Sequence, residues 1–211
     1  MKFGIPVVIV EDDPETSSVF IQVAKDKGAP LFWAEPFNAI SDLVGEYQSL
    51  NIKGAAAVLN LLHPEFHGVW SDGFKRVSDL TGFFGRWSII GHSPRIVCDT
   101  GHNSHAFVHL VEQAERECLG RIHWILGAAV EKDSKAILSL LPKSSSYYFT
   151  SCSSPRGESG EELAKEADLL GLHSTHFTDV NSALSAAKKE ATSEDLIFIG
   201  GSTFVIADLE L

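Results

Sequence analysis

The chain has 211 residues, 44% hydrophobic and 21% charged, with a formal net charge of −11. That length supports one sizeable core, or a domain plus part of another, and the composition is that of a folded globular protein rather than a disordered one. The charge argues against nucleic-acid binding, which needs clustered Lys and Arg: "KDK" (25–27) and "AKK" (187–189) are helix-surface pairs with no larger cationic cluster beside them.

The opening stretch "MKFGIPVVIVEDD" turns acidic straight after its apolar run and lacks a small-residue cleavage site, so it reads as a strand, Ile5–Val10, and not as a secretion signal. A helix is expected from about Glu15 to Lys27, with Pro14 in its first turn and Gly28 as its C-terminal cap, then a strand in "PLFWA". "YQSLNIKGAAAVLNLL" (47–62) follows a helical period from Leu50, and His63-Pro64 stops it. Residues 63 to about 84 carry three glycines, with a fourth at Gly85, scattered aromatics and a short helical piece near Ser71–Asp79; they read as a packed linker and the domain boundary.

From Gly85 the pattern is regular. "WSII" and "RIVC" are two short strands joined by a turn over Gly91–Pro94. Helix Ser104–Cys118, strand Arg121–Leu126, helix Ser134–Leu141 and strand Tyr147–Thr150 follow. Helix Gly160–Leu170, strand His173–Phe177, helix Asn181–Glu190, strand Leu196–Ile199 and an amphipathic "STFVIADLEL" complete the chain. Strands separated by helical segments, several of them continuous apolar runs such as "LIFIG", predict an α/β domain with a doubly wound, mainly parallel, Rossmann-like sheet covered on both faces. The longest apolar run, Ile122–Val130, is too short to span a bilayer, and three widely spaced cysteines fit a reduced, cytoplasmic protein better than a disulfide framework or zinc knuckle.

"DTGHNSHAF" (99–107) concentrates polar residues between the strand "RIVC" and the next helix. Asp99 lies at a strand's carboxyl end, where open parallel sheets bind ligands. Ser104 or Asn103 can cap the helix, whose free N–H groups favour an anion, and Gly101 permits a sharp turn. His102, His105 and His109 have a zinc-like spacing but no HExxH arrangement, and His63 and His67 are weaker still. No metal ligand is therefore assigned. Taken alone, the loop reads as a helix cap with an incidental acid.

Absences narrow the chemistry. No glycine is followed by lysine, so there is no G-x-x-x-x-G-K-[ST] phosphate loop; there is no G-x-G-x-x-G and no G-x-S-x-G elbow either. "GRW" (85–87) offers an arginine at the entrance of the second domain, able to reach a phosphate across a cleft.

The order "GRW" (85–87), then "DTGHNS" (99–104), resembles the C-terminal region of the Mur ligase family, in its folylpolyglutamate/dihydrofolate synthase branch, where a G-R-W-like segment precedes D-G-A-H-N-P. "GIPVVIVEDDPETSSVF" (4–20) and "YQSLNIKGAAAVLNLL" (47–62) are similar to stretches of that family's central ATPase domain. "WILGAAVEKDSKAILSLLP" (124–142) looks like its G-x-x-x-D-K-D strand–loop–helix, and "IFIGGSTFVIADL" (197–209) looks like its ending. The resemblance implies the C-terminal part of the central ATPase domain over 1–65, a linker over 66–84 and the Mur ligase C-terminal domain over 85–211. It further implies an ATP- and Mg²⁺-dependent ligase joining L-glutamate to a folate or dihydropteroate carboxylate through an acyl phosphate. Carried over by position, Asn51, Arg86 and Asp99 look like ATP contacts, with Asp99 suited to ribose hydroxyls. His102 and Asn103 look like catalytic-loop residues beside the phosphoryl group or the glutamate. Thr100-Gly101 and Ser104 depart from the motif. The phosphate loop, the Mg²⁺ ligands and most folate contacts are expected in an N-terminal region of the same protein that is missing here, so this chain is expected to be inactive alone. A cell-wall UDP-muramoyl amino-acid ligase, or a non-catalytic Rossmann-like binding domain, are the alternatives.

Overall fold

A computed structural model describes residues 1–66, 69–129 and 134–210. His67 and "EKD" (131–133), which carries the D-K-D-like resemblance, lie outside them. The chain divides into two compact units, Met1–Phe83 and Phe84–Leu211.

In the first unit, β1 (Val7–Ile9) and β2 (Leu31–Trp33) pair in parallel, with Val7 opposite Leu31, across the crossover helix α1 (Ser17–Asp26). α1 starts later than its periodicity suggests, so Pro14 sits before it rather than in its first turn. The cause is local: the Asp13 carboxylate accepts the Glu15 N–H at 2.8 Å and Asp12 accepts the Ser17 hydroxyl at 2.6 Å, which holds a turn there. At the other end Gly28 adopts φ +56°, and the Ala29 N–H returns to the Ala24 carbonyl, closing the helix as expected of a C-terminal glycine.

α2 (Gln48–Leu62) buries the stripe Gln48, Ile52 and Ala56, one residue per helical turn. The Lys53 ammonium donates to the Val10 carbonyl at 2.8 Å, tying α2 to the end of β1. α2 ends at His63, followed by a 3-10 turn, Pro64–Phe66. The helical piece expected near 71–79 is two helices, α3 (Trp70–Phe74) and α4 (Val77–Thr81). The break follows from Asp42, whose carboxylate accepts the Val77 and Ser78 N–H groups at 3.0 and 2.8 Å and so starts a new helix.

The second unit carries a six-stranded sheet in the order β3-β4-β8-β5-β6-β7. Its elements are β3 (Ser88–His92), β4 (Arg95–Cys98), α5 (Ser104–Glu117), β5 (Ile122–Leu126), α6 (Ser134–Leu138) and β6 (Ser146–Thr150). They continue with α7 (Gly160–Leu169), β7 (Ser174–Phe177), α8 (Val180–Glu190), β8 (Leu196–Gly200) and α9 (Thr203–Ala207). β3 and β4 form an antiparallel hairpin; every other pairing is parallel. β8, entirely buried, inserts between β4 and β5.

Side-chain alternation assigns the two faces. Ile197 and Ile199 of β8 pack with Ile96, Cys98, Ile125 and Tyr148 against Val180, Ala183, Leu184 and Ala187 of α8. Phe198 points the other way, where its ring meets Phe107 of α5 at 6.3 Å, Trp124 at 4.8 Å and Trp87 at 5.9 Å. The sheet is thus covered on both faces, which is the doubly wound arrangement expected from the apolar runs.

The amino edge of this sheet is locked by Asp195, which accepts the Arg121 and Thr192 N–H groups at 2.6 Å each. Burial pushes its carboxyl up, but those amides, the Thr192 hydroxyl and His123 outweigh it and hold the pKa at about 2. His123 is also buried, with Nδ1 3.0 Å from the Tyr148 hydroxyl and Nε2 3.6 Å from Asp195. Burial lowers its pKa below the ordinary 6.5, against the pull of Asp195 and Glu190. Below about pH 6.5 the unfolded chain takes up a proton that folded His123 declines, so stability falls there. The Asp195 contribution, present above pH 3.8, is lost as pH drops towards 2. Urea unfolding at pH 7.5, 5.5 and 3 is expected to show both losses, and His123→Gln should reduce the first. A stability that is flat from 7.5 to 5.5 and unchanged by that substitution would contradict the assignment.

Candidate functional site

The carboxyl edge of the parallel strands gathers the loops after β4, β5, β6 and β8, together with the segment that leads into β3. Their backbones approach closely. A Cβ on Gly200 would lie 2.6 Å from the Asp99 carbonyl, one on Gly127 2.8 Å from the Thr150 carbonyl, and one on Gly201 2.5 Å from the Gly127 carbonyl. Gly201 also has φ +84°, which side-chain-bearing residues rarely adopt. These strand-end glycines are visible in "HWILG" and "LIFIGG".

"GRW" and "DTGHN" meet at this edge. Asp99 is 2% exposed, and its carboxylate accepts the Trp87 N–H at 2.8 Å through one oxygen and the Gly101 N–H at 2.8 Å through the other. In this structure the carboxylate braces two loops from inside. Trp87 has φ +51°, the one positive φ outside glycine among the described residues, and its side chain is fully buried. Such a backbone costs on the order of 1–3 kcal/mol and persists only where the surroundings over-determine it. Here the Asp99 carboxylate does so, together with an indole N–H donated to Glu117 at 3.1 Å.

Arg86, half-buried, lies between these anchors. Its Nη1 donates to the Gly85 carbonyl at 3.1 Å and to the Thr100 hydroxyl, while Thr100 returns both N–H and hydroxyl to the same carbonyl at 3.0 and 3.1 Å. Thr100, a departure from the family motif, thus ties the two loops together. His102 places Nδ1 3.0 Å from the Thr100 carbonyl. A carbonyl only accepts, so Nδ1 carries a proton in this contact, which leaves Nε2 as the ring atom able to accept one. Asn103, rather than Ser104, caps α5 with extended backbone, its side-chain oxygen accepting the Ala106 N–H at 2.8 Å. Arg86, Asp99, His102 and Asn103 are brought together in the second unit. Asn51 lies in the first, on α2, with Nδ2 donating to the Gln48 side-chain oxygen at 2.9 Å.

The loop after β6, "SCSSPRGES", also joins this edge, and the sequence motifs assign it no role. Its Arg156 stacks over Phe204 at 5.5 Å, and Ser153 donates through N–H and hydroxyl to the Asp208 carboxylate at 2.6 and 2.5 Å. The signal for it was present: a small polar run between an apolar strand and a capped helix. By contrast, His105 and His109 are exposed and contact each other at 5.4 Å, and no group of three or more His, Cys, Asp or Glu side chains converges among the described residues. Cys98 is inert, its thiol pushed up to about 12 by burial and by neighbouring Asp99. No helix among the described residues is long and apolar enough to cross a membrane. Taken together, an arginine, a helix N-terminus and a proton-accepting imidazole on one rim suit a multiply charged anion.

The sequence profile of the Mur ligase, glutamate ligase domain, matches residues 85–203. A dihydrofolate synthase/folylpolyglutamate synthase of Escherichia coli is 28% identical over 218 residues, covering 96% of this chain and 50% of that protein. A protein of the same name from Buchnera aphidicola is 30% identical over 126 residues, covering 59% of this chain and 30% of that protein. Among solved structures, a bifunctional folylpolyglutamate synthase/dihydrofolate synthase of Yersinia pestis, complexed with AMPPNP and Mn ion, superposes with a TM-score of 0.77 at 23% identity, covering 98% of this chain and 52% of that one. Mycobacterium tuberculosis folylpolyglutamate synthase complexed with ADP gives 0.81 at 19% identity, covering 95% and 53%. At these identities the structures speak for the fold. The chain spans half or less of the curated relatives described here.

Proposed function

The chain belongs to the Mur ligase family, with its glutamate ligase domain over residues 85–203, and from that membership we propose that it supplies half of an ATP-dependent ligase joining L-glutamate to a folate or dihydropteroate carboxylate. The observation that carries this reading is the clasp between Gly85–Trp87 and Asp99–Asn103, which sets a cation and a proton acceptor at the sheet's carboxyl edge.

In the reaction, the acceptor carboxylate attacks the γ-phosphorus of ATP, giving an acyl phosphate and ADP. The glutamate amine then attacks the acyl carbon; phosphate leaves with the electron pair of the C–O bond, and the amine sheds a proton. Arg86 neutralises phosphate charge as it develops. Asp99 holds the turn that presents Arg86. His102 Nε2 accepts the amine proton, and the Asn103 amide NH₂, which the helix cap does not consume, donates to phosphate oxygen. Asn51, its Nδ2 held by Gln48, offers Oδ1 to the amino group of adenine.

The described residues do not by themselves make a Mg²⁺ site. Its ligands, the phosphate loop and most folate contacts are assigned to the half of the relatives that this chain does not match. A partner of that kind also suits the first unit. Among the described residues its sheet has two strands, and Val19, Ile21, Phe32, Leu61 and Leu62 are exposed. Residues 1–65 are read as the end of the central ATPase domain, 66–84 as a linker, and the cytoplasm as the setting.

The isolated chain is expected to show no glutamate-dependent phosphate release with ATP and dihydropteroate or folate. Adding a polypeptide equivalent to the unmatched half should restore it. Turnover by the isolated chain would sink the half-site reading, and restored activity with a UDP-muramoyl acceptor instead would sink the folate assignment.

A further inference from the structure

Glu117 occupies the last turn of α5, where the carbonyl ends of the helix disfavour negative charge. Its side chain is nonetheless only 19% exposed and accepts three donors: the Trp87 indole N–H at 3.1 Å, the Gln113 amide at 2.9 Å and the Arg95 guanidinium at 2.9 Å. An acid in an unfavourable place, partly desolvated and shared among three donors, is held there by what it organises. Arg95 and Trp87 flank opposite ends of the β3–β4 hairpin, so one carboxylate spans it.

Trp87 connects this carboxylate to the rim. Its ring is buried beside Phe198, its N–H is held by Asp99, and its backbone lies in the left-handed region. With the amide and the indole both anchored, the residue cannot relax to ordinary φ without breaking one hydrogen bond. The chain is therefore forced to turn at Trp87, sending the indole inward and leaving Arg86, one residue earlier, on the carboxyl edge with Nη1 on Gly85 and Thr100. Asp99 acts on this turn from the loop; Glu117 acts on it from the far end of α5.

We propose that Glu117 is a positioning residue for Arg86, fixing the rim guanidinium through the Trp87 indole. The functional consequence rests on the reading above, in which Arg86 meets nucleotide phosphate; the positional claim does not.

The test uses the 211-residue chain, with ¹⁵N relaxation and hydrogen exchange of the Arg86 Nε–H as the readout. In the unsubstituted chain Arg86 should give one ordered, slowly exchanging signal. Glu117→Ala should speed its exchange at least tenfold and lower its order parameter, and Trp87→Phe, which keeps a ring but removes the indole N–H, should do the same if the alanine variant folds poorly. Glu117→Gln, which keeps an acceptor oxygen, should restore the signal. Thermal unfolding is recorded alongside: a lower Tm with an unchanged Arg86 signal in the folded Ala and Phe variants would leave Glu117 a purely structural residue and overturn the proposal. The two readings fail separately. If Arg86→Ala leaves the nucleotide KM of the reconstituted ligase unchanged, the phosphate role falls. If it raises KM, but Glu117→Ala raises KM just as much in the Arg86→Ala background as in the native one, the coupling between the two residues falls instead.

Discussion

Arg86→Ala is expected to lower kcat/KM for ATP in the reconstituted ligase by roughly 10²–10³-fold, the usual effect of removing one preorganised donor from a site of developing charge. The expectation rests on position more than on charge, since the chain carries 17 Lys and Arg residues in all. Arg86 is half-buried on the sheet's carboxyl edge, its Nη1 already committed to Gly85 and Thr100, so it need not give up much side-chain freedom when an anion arrives. Arg86→Lys keeps the charge but loses the planar fork, and recovery of about tenfold of the lost rate would fit the smaller value of a point charge. Steady-state phosphate release against ATP concentration measures both. An unaltered kcat/KM in the alanine variant would move the nucleotide phosphates away from this rim.

Much of the fold was legible because its signals are local. "RIVC" followed by Asp, Gly and Asn marks a buried strand, a turn and a helix start, and the structure gives those three in that order. The choice of Asn103 over Ser104 as the cap was open in the sequence, where both are capping residues; the extended backbone at Asn103 (φ −135°, ψ 162°) decides it. α6 ends at Leu138 rather than Leu141 because, after Ser139 bonds four residues back to Lys135, the N–H groups bond three back, Leu140 to Ile137 and Leu141 to Leu138, just before Pro142. What stayed hidden is non-local. The insertion of β8 between β4 and β5 depends on pairing across a hundred residues, and only the unbroken apolar run "LIFIG" hinted at a central strand. Asp99 shows the same limit within the site. Its residue type suits a ribose contact, but its partners are a backbone amide twelve residues upstream and another two downstream, and no spacing rule announces either. The first unit was read in the same way, yet the break between α3 and α4 is set by Asp42, more than thirty residues away.

Asp99→Asn is the sharper experiment, because it changes one atom and removes one acceptor. The carboxylate meets two N–H donors with two oxygens, both at 2.8 Å, in a site 2% exposed to water. An asparagine there has one oxygen and one NH₂, so whichever way it turns, an amide hydrogen faces another donor. If the oxygen stays on Gly101, the Trp87 N–H loses its partner and the left-handed turn loses one of its two anchors. If it stays on Trp87, the loop carrying His102 and Asn103 is released. Leaving one buried donor unmet costs about 1–3 kcal/mol, and a loss of that size is expected. A lowered urea midpoint with an unchanged m-value measures the stability loss. Stability alone would not make Asp99 part of the site, so the comparison is Asp195→Asn at the opposite edge, where the carboxylate likewise meets two N–H groups, at 2.6 Å each. Both variants should lose stability. Only Asp99→Asn should also cut kcat/KM for ATP at a temperature where both are folded, by about tenfold or more, since only Asp99 lies behind a donor of the kind worth two to three orders of magnitude. Equal kinetic losses in the two variants would reduce Asp99 to a fold residue and separate Arg86 from the brace that is meant to hold it.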